Sequence, residues 1–159
     1  AKNILKSLEA AKAREEKGKS TAIGATAPDF SGPTPEGKEL SLKEAMGKVT
    51  IIDFWAAWCK PCRVENPNVV KIYNKYHSKG LNIIGVSLDR KEEDWKKAIA
   101  DDNLSWNHIS SLDYFNDAVA KLYNVEAIPA TFILDENGVI IAKNLRGPEL
   151  ESKISELLQ

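Results

Sequence analysis

The feature that most constrains the fold is a run of apolar residues that ends at two closely spaced cysteines. Residues Lys48 to Ala57 are nearly all apolar and rich in β-forming side chains, which predicts a strand covered on both faces, as in a central parallel strand. Cys59 and Cys62 follow at once and are the only cysteines among the 159 residues. Helical periodicity then runs from Lys60 to Lys79 and stops at Gly80. A pair of thiols is therefore expected where a buried strand gives way to a helix.

The remaining elements predict an α/β fold. We expect a strand or helical turn at Glu39 to Ala45 with Ser41 as N-cap, strands at Leu81 to Leu88, Trp106 to Ile109, Thr131 to Leu134 and Val139 to Ala142, and helices at Glu92 to Asp102, Ala118 to Tyr123 and Leu150 to Leu158. Asn137-Gly138, between the last two strands, predicts a tight hairpin with both residues at positive φ. This order describes a three-layer sandwich around a central mixed sheet flanked by helices.

Composition excludes several partners. The 22 Lys and Arg residues nearly balance the 23 Asp and Glu residues, so the net charge gives no reason to expect nucleic acid or an anionic membrane surface. The longest apolar stretch, Val49 to Trp58, is too short to span a bilayer and contains Asp53. Residues 1–20 are rich in Ala, Lys and Glu, and we expect either a helix or a linker from an upstream domain there. Residues 21–159 are expected to form one domain.

The position of the two cysteines predicts redox chemistry. Free N–H groups and the positive dipole end of a first helical turn stabilise a thiolate at Cys59, which lowers its pKa below the free value of roughly 8.5. Cys62 lies three residues on, close enough to close a disulfide. Pro61 loses no hydrogen bond in the first turn and rigidifies the loop. We expect Cys59 to attack a substrate disulfide and Cys62, the less exposed thiol, to resolve the mixed disulfide.

The resolving step needs a base, and two carboxylates can reach Cys62. Glu65 is one helical turn beyond it, and Asp53 lies inside the predicted central strand, where an unpartnered carboxylate is costly. The alternatives are a solvated helix carboxylate for Glu65 and a satisfied strand-end polar group for Asp53. If both approach Cys62 in an apolar pocket, they should titrate jointly, with a raised pKa for one and a shared proton relay.

The cysteine pair has two other interpretations. A C-x-x-C pattern can be half of a zinc site, but His77 and His108 lack the spacing of the two further ligands. A purely structural disulfide across two intervening residues would constrain the unfolded chain little. We therefore expect no metal and no cofactor.

Two distant segments resemble the thioredoxin superfamily. Residues 53–62, Asp-Phe-Trp-Ala-Ala-Trp-Cys-Lys-Pro-Cys, together with Pro67 in the following helix, are similar to its strand-to-helix active site. Ala127 to Phe132 is similar to the loop that carries the cis-proline of that superfamily, here Pro129. The resemblance implies a thioredoxin-like fold for the sandwich.

Within the superfamily, the chain is most similar to the TlpA/ResA-like branch. It shares the greater length, the extended segment from Gly24 to Lys48 before the core, and an insertion from Asp89 to Asp113 before the cis-proline helix. Glu65 matches the active-site glutamate of that branch, whereas Asp53 matches the carboxylate of plain thioredoxins. This sequence carries both carboxylates.

The resemblance implies a thiol-disulfide oxidoreductase that acts on cysteines of other proteins, as a reductant in the periplasm or cell envelope, tethered through a segment outside this chain. Its clients would be disulfide-containing envelope proteins, including apocytochromes c, and a membrane-bound thiol donor would supply electrons. The residues expected to contact substrate are Trp58, Lys60, Pro61, Ile128 and Pro129. The alternatives are a core position for Trp58 and an ordinary trans peptide at Ile128-Pro129.

Two other functions compete with this one. A thiol peroxidase of the peroxiredoxin type would carry Pro-x-x-x-Thr-x-x-Cys, but Ile52 and Ala56 occupy the Pro and Thr positions before Cys59. A binding module that merely retains the fold would have no need of both thiols.

Overall fold

The computed structural model describes residues 20–159. The strands in this range are β1 (Ser31–Pro33), β2 (Glu39–Ser41), β3 (Val49–Trp55), β4 (Leu81–Ser87), β5 (Asn107–Ile109), β6 (Ala130–Leu134) and β7 (Ile140–Lys143). β1 and β2 form a small antiparallel sheet. The other five form the central sheet, in the order β5-β4-β3-β6-β7. β3 pairs in parallel with β4 and antiparallel with β6, so the sheet is mixed as expected.

Helices cover both faces of the central sheet. They are α1 (Leu42–Ala45), α2 (Lys60–Tyr76), α3 (Glu92–Asp101), α4 (Ala118–Leu122) and α5 (Gly147–Leu158), with short 3₁₀ turns at His77–Lys79 and Tyr114–Asn116. α2 packs beside α5. Tyr123, directly after α4, packs against Phe54 of β3 and Phe132 of β6. The three-layer thioredoxin-like sandwich is confirmed.

β3 is the central strand that the apolar run predicts. Every residue of it is buried, and Ile52 and Phe54 have no exposed surface. Removing such side chains from water supplies about 1.5–3 kcal/mol each to folding. The carboxyl end of β3 is therefore held firmly in the core, and the cysteines follow directly from it.

α2 begins where the sequence predicts and ends slightly earlier. Cys59 is its N-cap residue, with extended backbone, and the helix continues through Pro67. After Tyr76 the backbone tightens into the 3₁₀ turn, and Gly80 ends it at a φ of 119°. Glycine suits this position because it adopts the left-handed region without a Cβ clash.

Two short N-terminal features match their sequence signals. The segment predicted as strand or helical turn contains both, β2 followed by α1. The Ser41 hydroxyl accepts the backbone N–H of Glu44 at 3.1 Å, and the Glu44 carboxylate accepts the Ser41 N–H at 3.1 Å. This reciprocal capping box satisfies two N–H groups that a helix start otherwise leaves free.

The hairpin between β6 and β7 differs from its prediction. Gly138 has a φ of 81°, but Asn137 is not at positive φ. The Asp135 carboxylate accepts the N–H groups of Asn137 at 2.9 Å and Val139 at 3.0 Å, and the Asp135 carbonyl accepts the N–H of Gly138 at 3.0 Å. Because the Asp135 side chain holds the turn, only Gly138 needs the left-handed conformation. The prediction of two positive-φ residues is wrong.

The expectation of a helix or linker in residues 1–20 falls outside the described residues, except for Ser20, and the boundary at residue 21 stays a prediction. Among residues 20–159, none of the helices combines the length and apolar character needed to cross a bilayer. α5 starts at Gly147, three residues before the predicted start, because Pro148 fits the first helical turn.

Candidate active site

The two cysteines form a disulfide at the junction of β3 and α2. Cys59 and Cys62 are bonded, with their Cα atoms 5.3 Å apart. The backbone N–H of Cys62 donates to the Cys59 sulfur at 3.3 Å. The Cys59 sulfur thus takes up one of the free N–H groups of the helix start, in the positive field of the helix dipole.

Exposure separates the two cysteines only slightly. Cys59 is 4% exposed and Cys62 is 3% exposed in the oxidised pair, so Cys62 is the less exposed residue, as expected. Both side chains are drawn into the core by the strand end and the helix that they join. Hydrogen bonding separates them instead, because within residues 20–159 no N–H group donates to the Cys62 sulfur. Cys59 is therefore the better site for a thiolate.

Trp58 lies on the surface beside the disulfide. It is 49% exposed, which contradicts a core position, and its ring lies 5.4 Å from that of Tyr114 and 6.4 Å from that of Phe115. Lys60 and Pro61, in the first turn of α2, are also exposed. The disulfide is therefore bordered by an aromatic surface on one side and a short polar turn on the other.

The Ile128-Pro129 peptide bond is cis, as the resemblance implies. Pro129 directly precedes β6, and Ala130 of β6 pairs with Phe54 near the end of β3. Pro129 and the half-buried Ile128 therefore lie at the same end of the sheet as Cys59.

Asp53 lies inside β3, on the face of the sheet that carries α2. Side chains two apart on a strand share a face, so Asp53 points to the same side as Trp55. The Trp55 ring packs on His108, which stacks on Trp106, which in turn contacts Tyr73 of α2.

The environment of Asp53 favours its neutral form. The side chain is only 7% exposed, and no other residue in the range 20–159 hydrogen-bonds to its carboxyl group or forms an ion pair with it. Burial, and to a lesser extent the negative charge of Glu65, raise the pKa of Asp53 to about 7. The raised pKa expected for one member of the carboxylate pair falls on Asp53.

Glu65 is held in place by hydrogen bonds. Its carboxylate accepts the N–H of Gly147 at 2.9 Å and the side-chain amide of Asn68 at 3.1 Å. The bond from Gly147 joins α2 to the first residue of α5, whereas Asn68 lies on α2 itself. The alternative of a merely solvated helix carboxylate is therefore wrong, and the fixed charge of Glu65 acts on Asp53.

Sequence reasoning missed the residues that brace the loop before Cys59. The buried Asp89 carboxylate accepts the N–H of Ala57 at 3.0 Å, and the Arg63 guanidinium donates to the Ala57 carbonyl at 3.0 Å. Arg63 also pairs with Asp102, at the end of α3, with one N–H···O distance of 3.1 Å. Arg63, Asp89 and Asp102 are far apart in the sequence and form no local motif, so no short pattern predicts that they meet.

His77 and His108 each bond a backbone carbonyl. The distances from ring nitrogen to oxygen are 2.8 Å to Leu81 and 2.9 Å to Leu104. In the part of the chain that the structure covers, no three His, Cys, Asp or Glu side chains gather as they would around a metal ion.

Comparison with known proteins places this site among thiol-disulfide oxidoreductases. A model of the AhpC/TSA family matches residues 23–143. Thiol-disulfide oxidoreductase ResA of Bacillus thuringiensis is 31% identical over 137 residues, which cover 86% of this chain and 77% of that protein. Thioredoxin-like protein YneN of Bacillus subtilis is 39% identical over 119 residues, 74% of this chain and 68% of that one.

Solved structures agree with these relatives. The thioredoxin domain of a thiol-disulfide oxidoreductase from Bacteroides vulgatus superposes with a TM-score of 0.80 at 38% sequence identity. The match covers 87% of this chain and 99% of that domain.

Proposed function

Because the chain belongs to the AhpC/TSA family and is a thiol-disulfide oxidoreductase with a thioredoxin-like fold, we propose that it reduces disulfides of other proteins through the Cys59/Cys62 dithiol. The observation that carries this proposal is the 3.3 Å hydrogen bond from the Cys62 N–H to the Cys59 sulfur. A bond of this kind stabilises the attacking thiolate in the reduced protein, and the same short loop lets the second thiol reach it.

The proposed reaction has two exchange steps. The Cys59 thiolate attacks one sulfur of a client disulfide, so that a mixed disulfide forms and one client thiolate leaves. Cys62 then gives its proton to the Asp53 carboxylate and attacks the Cys59 sulfur. The Cys59–Cys62 disulfide forms, the second client thiolate leaves, and each released thiolate takes up a proton from water. A thiol donor must then reduce the disulfide to restore the dithiol.

Asp53 and Glu65 take different parts in this scheme. A base with a pKa of about 7 is well matched to proton transfer near neutral pH, which supports Asp53 as the group that receives the Cys62 proton. Glu65 keeps its hydrogen bonds to Asn68 and Gly147 and raises the pKa of Asp53 through its charge.

The client would bind around the disulfide. Trp58 offers an exposed aromatic face, Lys60 and Pro61 form the adjoining turn, and Ile128-Pro129 borders the site at the sheet end. An extended client segment has free backbone groups that suit such an edge. These five residues are assigned to substrate contact in the proposal.

Cellular context is also part of the proposal and rests on resemblance. We place the protein in the periplasm or cell envelope, tethered through a segment outside this chain. Its clients are disulfide-containing envelope proteins, with apocytochromes c among them, and its electrons come from a membrane-bound thiol donor.

The proposal is tested by redox titration of Cys59/Cys62 against glutathione and by trapping clients. Cys62→Ser cannot resolve the mixed disulfide, so it should accumulate envelope proteins that reducing agent releases, whereas Cys59→Ser should accumulate none. Equal trapping by both variants would contradict the roles. Peroxide turnover serves as the control for the peroxidase alternative and should be absent, because Ala56 has no hydroxyl to offer at the threonine position.

A further inference from the structure

A small polar cavity lies beside the cis peptide bond. Its volume is about 160 Å³, and it is lined by Pro129, Thr131, Asn144 and Arg146. A cavity of about 10–15 Å³ is enough to hold one water, so this one has room for a side-chain group. Three of the four lining residues carry hydrogen-bonding side chains, and the fourth is the cis-proline itself.

Two antiparallel strands bring this cavity to the end of the sheet that holds the disulfide. Pro129 comes directly before β6, and Asn144 comes directly after β7, with which β6 pairs antiparallel. The start of one strand in such a pair lies beside the end of the other. Because Ala130 of β6 pairs with Phe54 near the end of β3, a client segment bound at Pro129 has the cavity within its reach.

Asn144 offers its amide nitrogen as a donor. Its Oδ1 atom accepts the backbone N–H of Thr131 at 3.0 Å, and its own backbone N–H donates to the Thr131 carbonyl at 2.9 Å. A backbone N–H can only donate, so the side-chain atom that accepts it is the amide oxygen. The two hydrogens on Nδ2 have no acceptor within residues 20–159. Asn144 is at a φ of 56°, a conformation that asparagine tolerates better than most residues.

The Thr131 hydroxyl is a buried polar group without a partner. Its Oγ1 atom has no hydrogen bond in the part of the chain that the structure describes, although Asn144 satisfies both backbone groups of the same residue. Buried polar atoms in native proteins nearly always have a partner. Because a hydroxyl can donate as well as accept, an acceptor that enters the cavity would satisfy it.

Arg146 supplies a positive charge that no carboxylate of the described chain neutralises. Its side chain is exposed, and among residues 20–159 its guanidinium has no ion pair and no hydrogen bond. The other two arginines of this range are engaged, Arg63 with Asp102 and Arg90 with the Tyr114 ring. A planar guanidinium has five N–H donors and no acceptor, which suits an anion with two oxygens.

The neighbouring negative charge and the helix end are already used by the fold. The Glu65 carboxylate accepts the N–H of Gly147, the residue after Arg146, and the side-chain amide of Asn68. The first N–H group of α5 is therefore occupied. The donors left over at the cavity are side chains.

We propose that this cavity binds a carboxylate of the client protein, an Asp or Glu side chain close to the cysteine that Cys59 attacks. The Arg146 guanidinium pairs with the carboxylate, while the Asn144 amide and the Thr131 hydroxyl donate to its oxygens. All three groups can donate and the charged one is positive, so an anion with two acceptor oxygens is the complementary ligand. The inference rests on the proposed function, because it takes a client segment beside Pro129 as given.

Peptides that differ at one residue test this preference. Each has a single cysteine joined by a disulfide to a coloured aryl thiol, and otherwise uncharged side chains. Glu, Gln or Lys stands in turn at each of the three positions before and after the cysteine. The Cys59 thiolate of the reduced protein attacks the peptide sulfur, the peptide–Cys59 disulfide forms, and the aryl thiolate leaves. Stopped-flow absorbance of the released thiol gives the second-order rate constant.

At the position that reaches the cavity, Glu should react about fivefold faster than Gln, as expected for one partly exposed ion pair. Lys should react more slowly than Gln. The advantage of Glu should shrink as salt is added, because salt screens exposed charges. Equal rates for Glu and Gln at every position would overturn the carboxylate site.

Variants of Arg146 are compared with a control that changes net charge in the same way. Arg146→Met should abolish the advantage of Glu over Gln, and Arg146→Glu should reverse it in favour of Lys. Lys71→Met is the control, since Lys71 is exposed on α2 and has no ion pair in the described range. It should keep the fivefold advantage. The same loss in Lys71→Met as in Arg146→Met would show a general effect of charge and overturn the site.

The carboxyl group of the peptide gives a second measurement, which does not depend on exchange rates. In Cys62→Ser linked through Cys59 to the Glu peptide, NMR titration should find the pKa of that Glu below its value in the free peptide. Adding Arg146→Met should restore the free value. An unchanged pKa in the linked protein would overturn the inference.

The two proposals fail in different ways. If the reduced protein reacts with none of the peptides, the proposed function fails and the carboxylate site falls with it. If it reacts with all of them at one rate, the proposed function stands and only the carboxylate site fails.

Discussion

The loop that leads to the disulfide and the row of paired strand residues beneath it, Asp53, Gly85 and His108, satisfy their polar groups in opposite ways. In the loop, the Ala57 N–H donates to Asp89 and the Ala57 carbonyl accepts from Arg63, which is itself paired with Asp102. In the row, Asp53 has no protein partner in the described range, and His108 Nδ1 is an unsatisfied buried atom. Complete charge-assisted bonding holds the loop in one geometry, whereas incomplete bonding leaves the carboxyl free to gain and lose a proton.

This contrast explains how one short segment of chain can be both rigid and chemically responsive. Disulfide exchange requires the two sulfurs to stay in register, so the backbone around Cys59 must not move. Proton transfer requires a group whose two charge states are close in free energy near neutral pH, and burial without a fixed counter-charge provides this at Asp53. The rigid loop before Cys59 and the titratable carboxyl group of Asp53 are therefore separate parts of the site.

The largest expected effect comes from removing the base of the row. Asp53→Asn should slow the resolving step by about a hundredfold, because an amide cannot take the Cys62 proton. In the unaltered protein the rate should rise with pH through about 7, where Asp53 loses its proton, and this rise should be absent in Asp53→Asn. Stopped-flow release of a thiol from the Cys59 mixed disulfide gives both results. The same rise in both proteins would assign the base to another group.

The same substitution should slow the reaction but make the folded protein more stable at alkaline pH. The pKa of Asp53 is raised by folding from 3.8 to about 7, so the folded protein holds the proton more tightly than the unfolded chain. Its contribution to stability is complete below pH 3.8 and is lost as pH rises to about 7. Asp53→Asn should therefore be more stable than the unaltered protein at pH 8, by on the order of a few kcal/mol, and nearly equal to it at pH 3.5.

Thermal unfolding of both proteins across this pH range checks that expectation. Glu65→Gln is the matched comparison. It removes the negative charge that helps to raise the pKa of Asp53, so the pH at which Asp53 destabilises the protein should be lower in this variant. A stability difference between Asp53→Asn and the unaltered protein that is the same at every pH would show that Asp53 is not neutral in the folded state.

A smaller effect is expected from weakening the loop. Arg63→Met removes the bonds to Ala57 and Asp102 and should lower the free energy of unfolding by about 1.5–3 kcal/mol, the usual value for hydrogen bonds to charged groups. Lys97→Met is the control, because its ion pair with Asp101 is exposed and should contribute no more than about 0.5 kcal/mol. Denaturant titration measures both. Equal losses of unfolding free energy in the two variants would mean that the hydrogen bonds of Arg63 do not stabilise the loop.

Much of the candidate site could be predicted from local sequence. The apolar run of β3, the helix start at the cysteines and the proline before β6 are each signalled within a few residues, because burial on both faces, helix capping and proline geometry are local requirements. The same local reasoning erred at Asn137, where the Asp135 side chain holds the turn.

Local sequence is enough to place two thiols together at the start of a helix, because residues three apart in a helix lie side by side. The groups that surround the thiols depend on how distant parts of the chain pack together. Asp53, Gly85 and His108 share a row because of the register of three strands drawn from distant parts of the chain, and Ala57 is braced from Asp89 and Arg63 because their elements pack together. Register and packing depend on contacts across the whole core, which no short segment of sequence encodes.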